Sequence, residues 1–264
     1  MLKAVDLHLT FNPGTPIETC ALRGMSLEIP GGQFVTVIGS NGAGKSSFLN
    51  AISGEQRVDS GRVEIDGVDV TRQPVWERAR HVARVFQDPM AGTCENLTVE
   101  ENLALAEARG TRRGFGQAVK AARREYYREQ LATLGLGLEG RLTDRIGLLS
   151  GGQRQAVSLL MAALQPSRIL LLDEHTAALD PRTVEFVLDI TTRIVREHRL
   201  TTMMVTHSMR QALEVGERTV MLHQGRVVLD VAGDERRGLT VPDLVAMFAR
   251  VRGEEVDDDA LLLG

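Results

Sequence analysis

Eight residues, Gly39-Ser40-Asn41-Gly42-Ala43-Gly44-Lys45-Ser46, constrain this chain more than any other stretch of it. They fit the pattern G-x-x-x-x-G-K-[ST], and the flanks give the pattern its meaning. Upstream, Pro30-Gly31-Gly32 reads as a turn, and Gln33 to Ile38 as a strand ending at Gly39. Downstream a helix opens. A strand that turns through glycines into a helix aims successive backbone N–H groups, and the positive helix end, at an anion. Lys45 adds a mobile charge suited to β- and γ-phosphates, and the Ser46 hydroxyl is a hard oxygen ligand for Mg²⁺. Each hydrogen bond to a charged oxygen contributes on the order of 1.5–3 kcal/mol, so several suffice for micromolar nucleotide binding.

Bulk properties exclude other classes. The 264 residues are 43% hydrophobic and 25% charged, which suits one large globular domain or two small ones. Nothing in a net charge of -4 suggests a nucleic-acid-binding surface. The start, Met1-Leu2-Lys3-Ala4-Val5-Asp6, lacks a basic segment followed by an apolar one, and no apolar run approaches the ~20 residues that cross a bilayer. The expectation is a soluble protein that meets a membrane only through a partner. Cys20 and Cys94 are far apart and read as reduced, partly buried thiols.

The first third reads as strands. Val5, Leu7, Leu9 and Phe11 alternate, and Arg62 to Ile65, Asp66-Gly67 and Val68 to Val70 read as a hairpin. His81 to Phe86 is a further strand. The middle is helical. Thr98 and Glu101 form a capping box ahead of a helix from Val99 to about Arg109. A polar helix over Gly116 to Leu134 presents Lys120, Arg123, Arg124 and Arg128 as a solvated face balanced by Glu125 and Glu129. In the last third, Ile169-Leu170-Leu171-Leu172 is apolar on both faces, as in a buried parallel strand. Asp180-Pro181 starts a helix along which Val184, Val187, Leu188, Thr191, Ile194 and Val195 recur at helical spacing. Met203-Met204-Val205 is the next strand, so the crossover is parallel and right-handed. Thr219 to Leu222 and Val227 to Leu229 flank a turn at Gln224-Gly225. His198 and His223 read as surface or turn residues. The tail, with Glu254, Glu255, Asp257, Asp258 and Asp259, reads as mobile.

Asp173 and Glu174 end the apolar strand, and ligands in open α/β sheets bind at the carboxyl ends of strands. Asp173 is placed to hold Mg²⁺ and Glu174 to polarise an attacking water, because phosphoryl transfer needs mainly positioning and charge.

Leu149-Ser150-Gly151-Gly152-Gln153 lies between the phosphate loop and that strand. The order resembles the ABC-transporter ATPase family, whose signature is this pentapeptide, and the resemblance runs from about Leu2 to Leu239. It implies an α/β P-loop NTPase (RecA-like) core with a mostly parallel sheet, an N-terminal antiparallel β subdomain and a helical signature subdomain. Residues 1–240 would be one ATPase domain, with 1–87 and 165–240 as core and 88–164 as the helical part. Residues 241–264 would add a helix and the acidic tail. By the same resemblance, ATP contacts Gly39 to Ser47, including Asn41, Ala43 and Ser47, while Phe11 stacks on adenine. Gln87 links Mg²⁺ and water to the helical part, Asp180 communicates across a dimer, and His207 contacts the γ-phosphate. Ser150, Gly151, Gly152 and Gln153 would complete the site of a second copy of the chain, giving a head-to-tail ATP sandwich.

The family usually has Pro after the Asp-Glu pair. This chain has His175, read as a tolerated loop residue beside the base. The stretches Phe11 to Thr15, Phe86 to Thr93 and Asp173 to Thr176 resemble a bacterial importer branch associated with amino acids such as tryptophan and tyrosine. Its partners are an integral-membrane permease and an extracytoplasmic substrate-binding protein. The expected place is the cytoplasmic face of the bacterial inner membrane. An exporter motor would share every catalytic residue. A soluble ABC ATPase acting on ribosomes or DNA would carry a second domain or a long coiled coil, and a P-loop kinase or GTPase leaves the signature and His207 unexplained.

Overall fold

A computed structural model of the chain describes residues 1–111 and 118–250. The elements run β1 (Leu2–Phe11), β2 (Thr19–Ile29), β3 (Phe34–Gly39), α1 (Lys45–Ser53), β4 (Ser60–Ile65), β5 (Val68–Asp69), α2 (Val75–Arg78), β6 (Val82–Val85) and α3 (Val99–Glu107). They continue through α4 (Arg124–Ala132), α5 (Gly151–Ala163), β7 (Ile169–Asp173), α6 (Pro181–His198), β8 (Thr201–Val205), α7 (Met209–Glu214), β9 (Arg218–His223), β10 (Arg226–Ala232) and α8 (Gly233–Arg237). Residues 241–250 are also helical. Two sheets form among the described residues. The smaller, antiparallel throughout, has the order β2-β1-β4-β5. The larger has the order β10-β9-β3-β8-β7-β6, with five parallel strands and an antiparallel edge at β10.

The four apolar residues of β7 explain the layering. Ile169 and Leu171 face a core shared with α1 and the small sheet, whereas Leu170 and Leu172 face a second core built with α3, α4, α5 and α6. A parallel sheet covered on both faces has no use for alternation. On α6, Val187, Leu188, Ile190, Thr191, Ile194 and Val195 form the buried stripe, and burying each large apolar side chain contributes roughly 1.5–3 kcal/mol. The Asp180 side chain caps the helix by accepting from Thr183 N at 3.2 Å. A third, small cluster joins Ile38, Ala212, Met221 and Leu244, seating residues 241–250 against the core.

In β1, Leu2, Ala4, Leu7 and Leu9 are buried and Val5 is not, because a bulge with Asp6 at φ 50° shifts the alternation by one residue. Asp66 and Gly67 both take positive φ, as the hairpin requires. The polar helix is shorter than its pattern suggested: α4 starts at Arg124 after a 3₁₀ turn at Ala121–Arg123, and the expected start at Gly116 lies outside the described residues. Its arginines are not simply a solvated face. Arg124 clasps buried Glu100 of α3 with two hydrogen bonds, of 2.7 and 2.9 Å, and Arg123 pairs with Glu107. Both cysteines are exposed. His198 ends α6 at the surface, but His223 lies buried in β9 with its ring edge-on to Phe248. The acidic tail from Glu254 lies outside the described residues.

Candidate functional site

The carboxyl ends of β3, β7 and β8 converge on one cavity of about 270 Å³. Asn41 to Ser47 form its floor, Phe11 and Thr19 one wall, and Glu174 and His207 the other. Two glycines of the phosphate loop are obligatory. Gly39 has φ 155°, and a Cβ there would lie 2.4 Å from the Leu222 carbonyl oxygen; Gly44 has φ 96°, and a Cβ there would lie 2.6 Å from that of Ala21. The turn at Gln224-Gly225 braces this loop: Gly225 N donates to Ala43 O, and its own carbonyl accepts from Arg23 N, both at 3.0 Å. That turn is legible in the sequence, but its role is not, since nothing local ties it to a loop nearly two hundred positions earlier.

The donor set fits a polyphosphate. The side chains of Thr98, Ser150, Asp180 and Ser208 cap α3, α5, α6 and α7, whereas α1 has no side-chain cap and no acidic residue in its first turn. Its leading N–H groups and positive end therefore point into the cavity without an internal anion. Lys45 Nζ folds over the loop and donates to the carbonyls of Gly39 and Ser40 at 2.9 and 3.0 Å. Burial lowers its pKa from the ordinary lysine value, against the opposing pull of Glu174 and Asp173. Both carboxylates thus act on the ammonium that would meet phosphate.

Glu174 sits in the left-handed region at φ 46° and donates its backbone N–H to Val205 O at 3.0 Å. Its Oε1 lies 2.6 Å from His207 Nε2, so the two predicted catalytic groups are in direct contact. Asp173 Oδ2 accepts from Arg84 Nη2 at 2.6 Å. For Mg²⁺, Ser46, Asp173 and Gln87 offer hard oxygens, and a metal that keeps several waters and phosphate oxygens needs few protein ligands.

Not every predicted residue lines this cavity. Gln87 is exposed just beyond β6, beside a second groove of about 260 Å³ lined by Arg84, Phe86, Cys94, Leu105 and Met161. Ser150 to Gln153 lie elsewhere. They open α5 as a capping box in which Ser150 Oγ accepts from Gln153 N and Gln153 Oε1 accepts from Ser150 N. Gly152 lies so close to Thr183 of α6 that a Cβ would collide with the threonine methyl. Asp180 stands at the start of that same α6.

His175 departs furthest from its reading. It is buried, and its Nε2 lies 3.1 Å from Thr191 Oγ1. The Thr191 proton goes to Val187 O at 2.7 Å, so Nε2–H must be the donor in the first bond. Burial pushes the His175 pKa down to about 4. The folded chain therefore holds the ring neutral where the unfolded chain would protonate it. This stability is complete above the unfolded pKa of 6.5 and is lost as pH falls toward about 4. Comparing unfolding free energies across that window, we expect wild type to lose up to roughly 3 kcal/mol that His175→Pro does not lose. Parallel pH profiles would remove the buried neutral histidine as the cause.

The family profile described as ABC transporter matches residues 22–177, more than half of the chain. A tyrosine transport ATP-binding protein of Clostridioides difficile is 43% identical over 250 residues, covering 94% of this chain and 98% of that protein. A thiamine import ATP-binding protein of Chelativorans sp. is 35% identical over 207 residues, covering 78% of this chain and 79% of that protein. Among solved structures, a dimeric post-hydrolysis state of an ATP-binding cassette bound to ADP and phosphate superposes with a TM-score of 0.76 at 29% identity, covering 90% of this chain and 100% of that one.

Proposed function

Because this chain belongs to the ABC-transporter family as an ATP-binding subunit whose ATPase activity powers transport, we propose that it drives a bacterial importer of an aromatic amino acid or similar small solute. The observation that carries the reading is the meeting of Lys45, Glu174 and His207 around one phosphate-sized cradle. In this proposal Gly39 to Ser47 bind the triphosphate and Phe11 stacks on adenine. Ser46, Asp173 and Gln87 hold the Mg²⁺, which neutralises phosphate charge when bound. Glu174 takes the proton of the attacking water, and His207 orients Glu174 and the γ-phosphate.

The signature residues are remote from this cavity, which supports their use in trans. A second copy of the chain would set Ser150 to Gln153 over the γ-phosphate, with Asp180 at the seam. Phosphate contacts hold the closed dimer, so hydrolysis removes what favours it. The partition into a core of residues 1–87 and 165–240 and a helical part of residues 88–164 gives such a dimer two bodies to move. The groove beside Gln87 would receive the permease, at the cytoplasmic face of the inner membrane. No helix among the described residues is long and apolar enough to cross a membrane, so that contact is peripheral in this proposal. The similarity to a tyrosine transport subunit supports an amino-acid cargo, with an extracytoplasmic binding protein delivering it.

Co-purification from membranes tests this. A tagged chain should retain one integral-membrane permease in detergent, and the reconstituted complex should hydrolyse ATP faster when its binding protein and an aromatic amino acid are added. Isolation without any membrane partner would overturn the importer reading.

A further inference from the structure

Arg84 has a role that neither the phosphate loop nor the signature explains. It stands on β6, three residues before Gln87. Nη2 donates to Asp173 Oδ2 at 2.6 Å, and Nη1 to Asn50 Oδ1 at 2.7 Å and Glu55 Oε2 at 2.6 Å. The guanidinium carbon lies 4.8 Å from the centroid of the Phe86 ring. The arginine side chain is 10% exposed, against 15% for Asp173 and 38% for Glu55. One cation therefore joins α1, the segment after it, and the strand end that presents Asp173. Lysine, a single point charge, would not reproduce this fork.

We propose that Arg84 is a resident counter-cation of Asp173 and that it sets how much Mg²⁺ the nucleotide site requires; this rests on the ATPase reading above. The Asp173 carboxylate is largely withdrawn from water, and a charge-assisted hydrogen bond satisfies it without metal. A divalent cation must share that carboxylate with the guanidinium or displace it. Positive charges a few ångströms apart at a poorly hydrated strand end repel strongly, so Arg84 weakens metal binding relative to an unpaired aspartate. Glu55 pulls the other way, by drawing part of the guanidinium's interaction to itself. The arrangement parallels the neighbouring contact between Glu174 and His207. Arg84 thereby lowers the repulsion an incoming triphosphate meets at Asp173.

The test is a Mg²⁺ titration of the full chain with a non-hydrolysable ATP analogue, reading the thermal unfolding midpoint. We expect Arg84→Met to lower the half-saturating Mg²⁺ concentration about tenfold, because the repelling charge is gone. Arg84→Lys keeps a positive charge beside Asp173 but not the fork to Asn50 and Glu55, so its requirement should fall between those of wild type and Arg84→Met. Glu55→Gln should raise the requirement about threefold, by leaving Arg84 more fully on Asp173. An unchanged or higher requirement in Arg84→Met, or equal shifts in Met and Lys, overturns the proposal. If Arg84→Met does not fold, Glu55→Gln decides, and an unchanged midpoint there overturns it equally. Stabilisation by the analogue with a Mg²⁺ requirement identical in all variants sinks this inference alone. No stabilisation of wild type at any Mg²⁺ concentration sinks the ATPase reading and this inference with it.

Discussion

Glu174→Gln should lower ATP hydrolysis by about 10²–10⁴-fold while leaving nucleotide binding intact, the range expected for loss of a general base. A thousandfold loss corresponds to about 4 kcal/mol of barrier. The substitution is nearly isosteric and keeps a hydrogen-bonding partner for His207 Nε2, which lies 2.6 Å from Oε1. It also suits the backbone, since neither residue is β-branched at φ 46°. What disappears is the carboxylate's capacity to accept a proton. The cradle of glycine N–H groups and Lys45 is untouched, so equilibrium binding of ATP should change little. In the proposed sandwich hydrolysis removes the γ-phosphate contacts, so the variant should accumulate an ATP-dependent dimer on size-exclusion chromatography. Normal turnover in Glu174→Gln would take the residue out of the role of base. Loss of hydrolysis without an ATP-dependent dimer would instead remove the sandwich.

The parts of this site legible in the sequence are those carried by local physics. The phosphate loop, the apolar β7 and the Asp180 cap each depend on residues within a few positions, and each stands where its pattern placed it. Two features that the sequence hides depend on partners outside their own segment. Arg84 meets Asp173 across 89 positions, and nothing in the sequence around β6 marks that arginine as anything but a strand residue. His175 looked like a loop residue because its neighbours are Glu174 and Thr176. It is buried against α6, where Thr191, just past the helix midpoint, gives its ring a polar contact. The β1 alternation holds at Leu7 and Leu9 and breaks at Val5 for a local reason: the bulge at Asp6 puts Leu2 and Ala4 on the buried face instead, and composition does not announce where a bulge falls.

Gly44→Ala should abolish nucleotide binding and destabilise the fold, whereas Gly42→Ala, two residues away in the same loop, should do neither to a comparable extent. Both glycines have positive φ, of 96° and 79°, so both alanines carry roughly 1–2 kcal/mol of left-handed strain. Their surroundings differ. A Cβ at Gly42 meets nothing within 4 Å. One at Gly44 lies 2.6 Å from Ala21 O and 3.3 Å from Gly225 Cα, and both are backbone atoms. They cannot swing aside as a side chain could. Ala21 belongs to β2, and Gly225 is hydrogen-bonded to Ala43 on one side and Arg23 on the other. Relief must therefore come from moving the loop itself, at a further cost of about 1–3 kcal/mol for overpacking. Since each kcal/mol moves the midpoint about 2–4 °C at this size, thermal unfolding should fall by roughly 5–15 °C for Gly44→Ala and only a few degrees for Gly42→Ala. Moving the loop also redirects the N–H groups at the start of α1, so ATP should stabilise Gly42→Ala but not Gly44→Ala. Equal melting of the two variants, with equal response to ATP, would mean that the packing of β2 and the Gly225 turn against Gly44 does not shape the cradle.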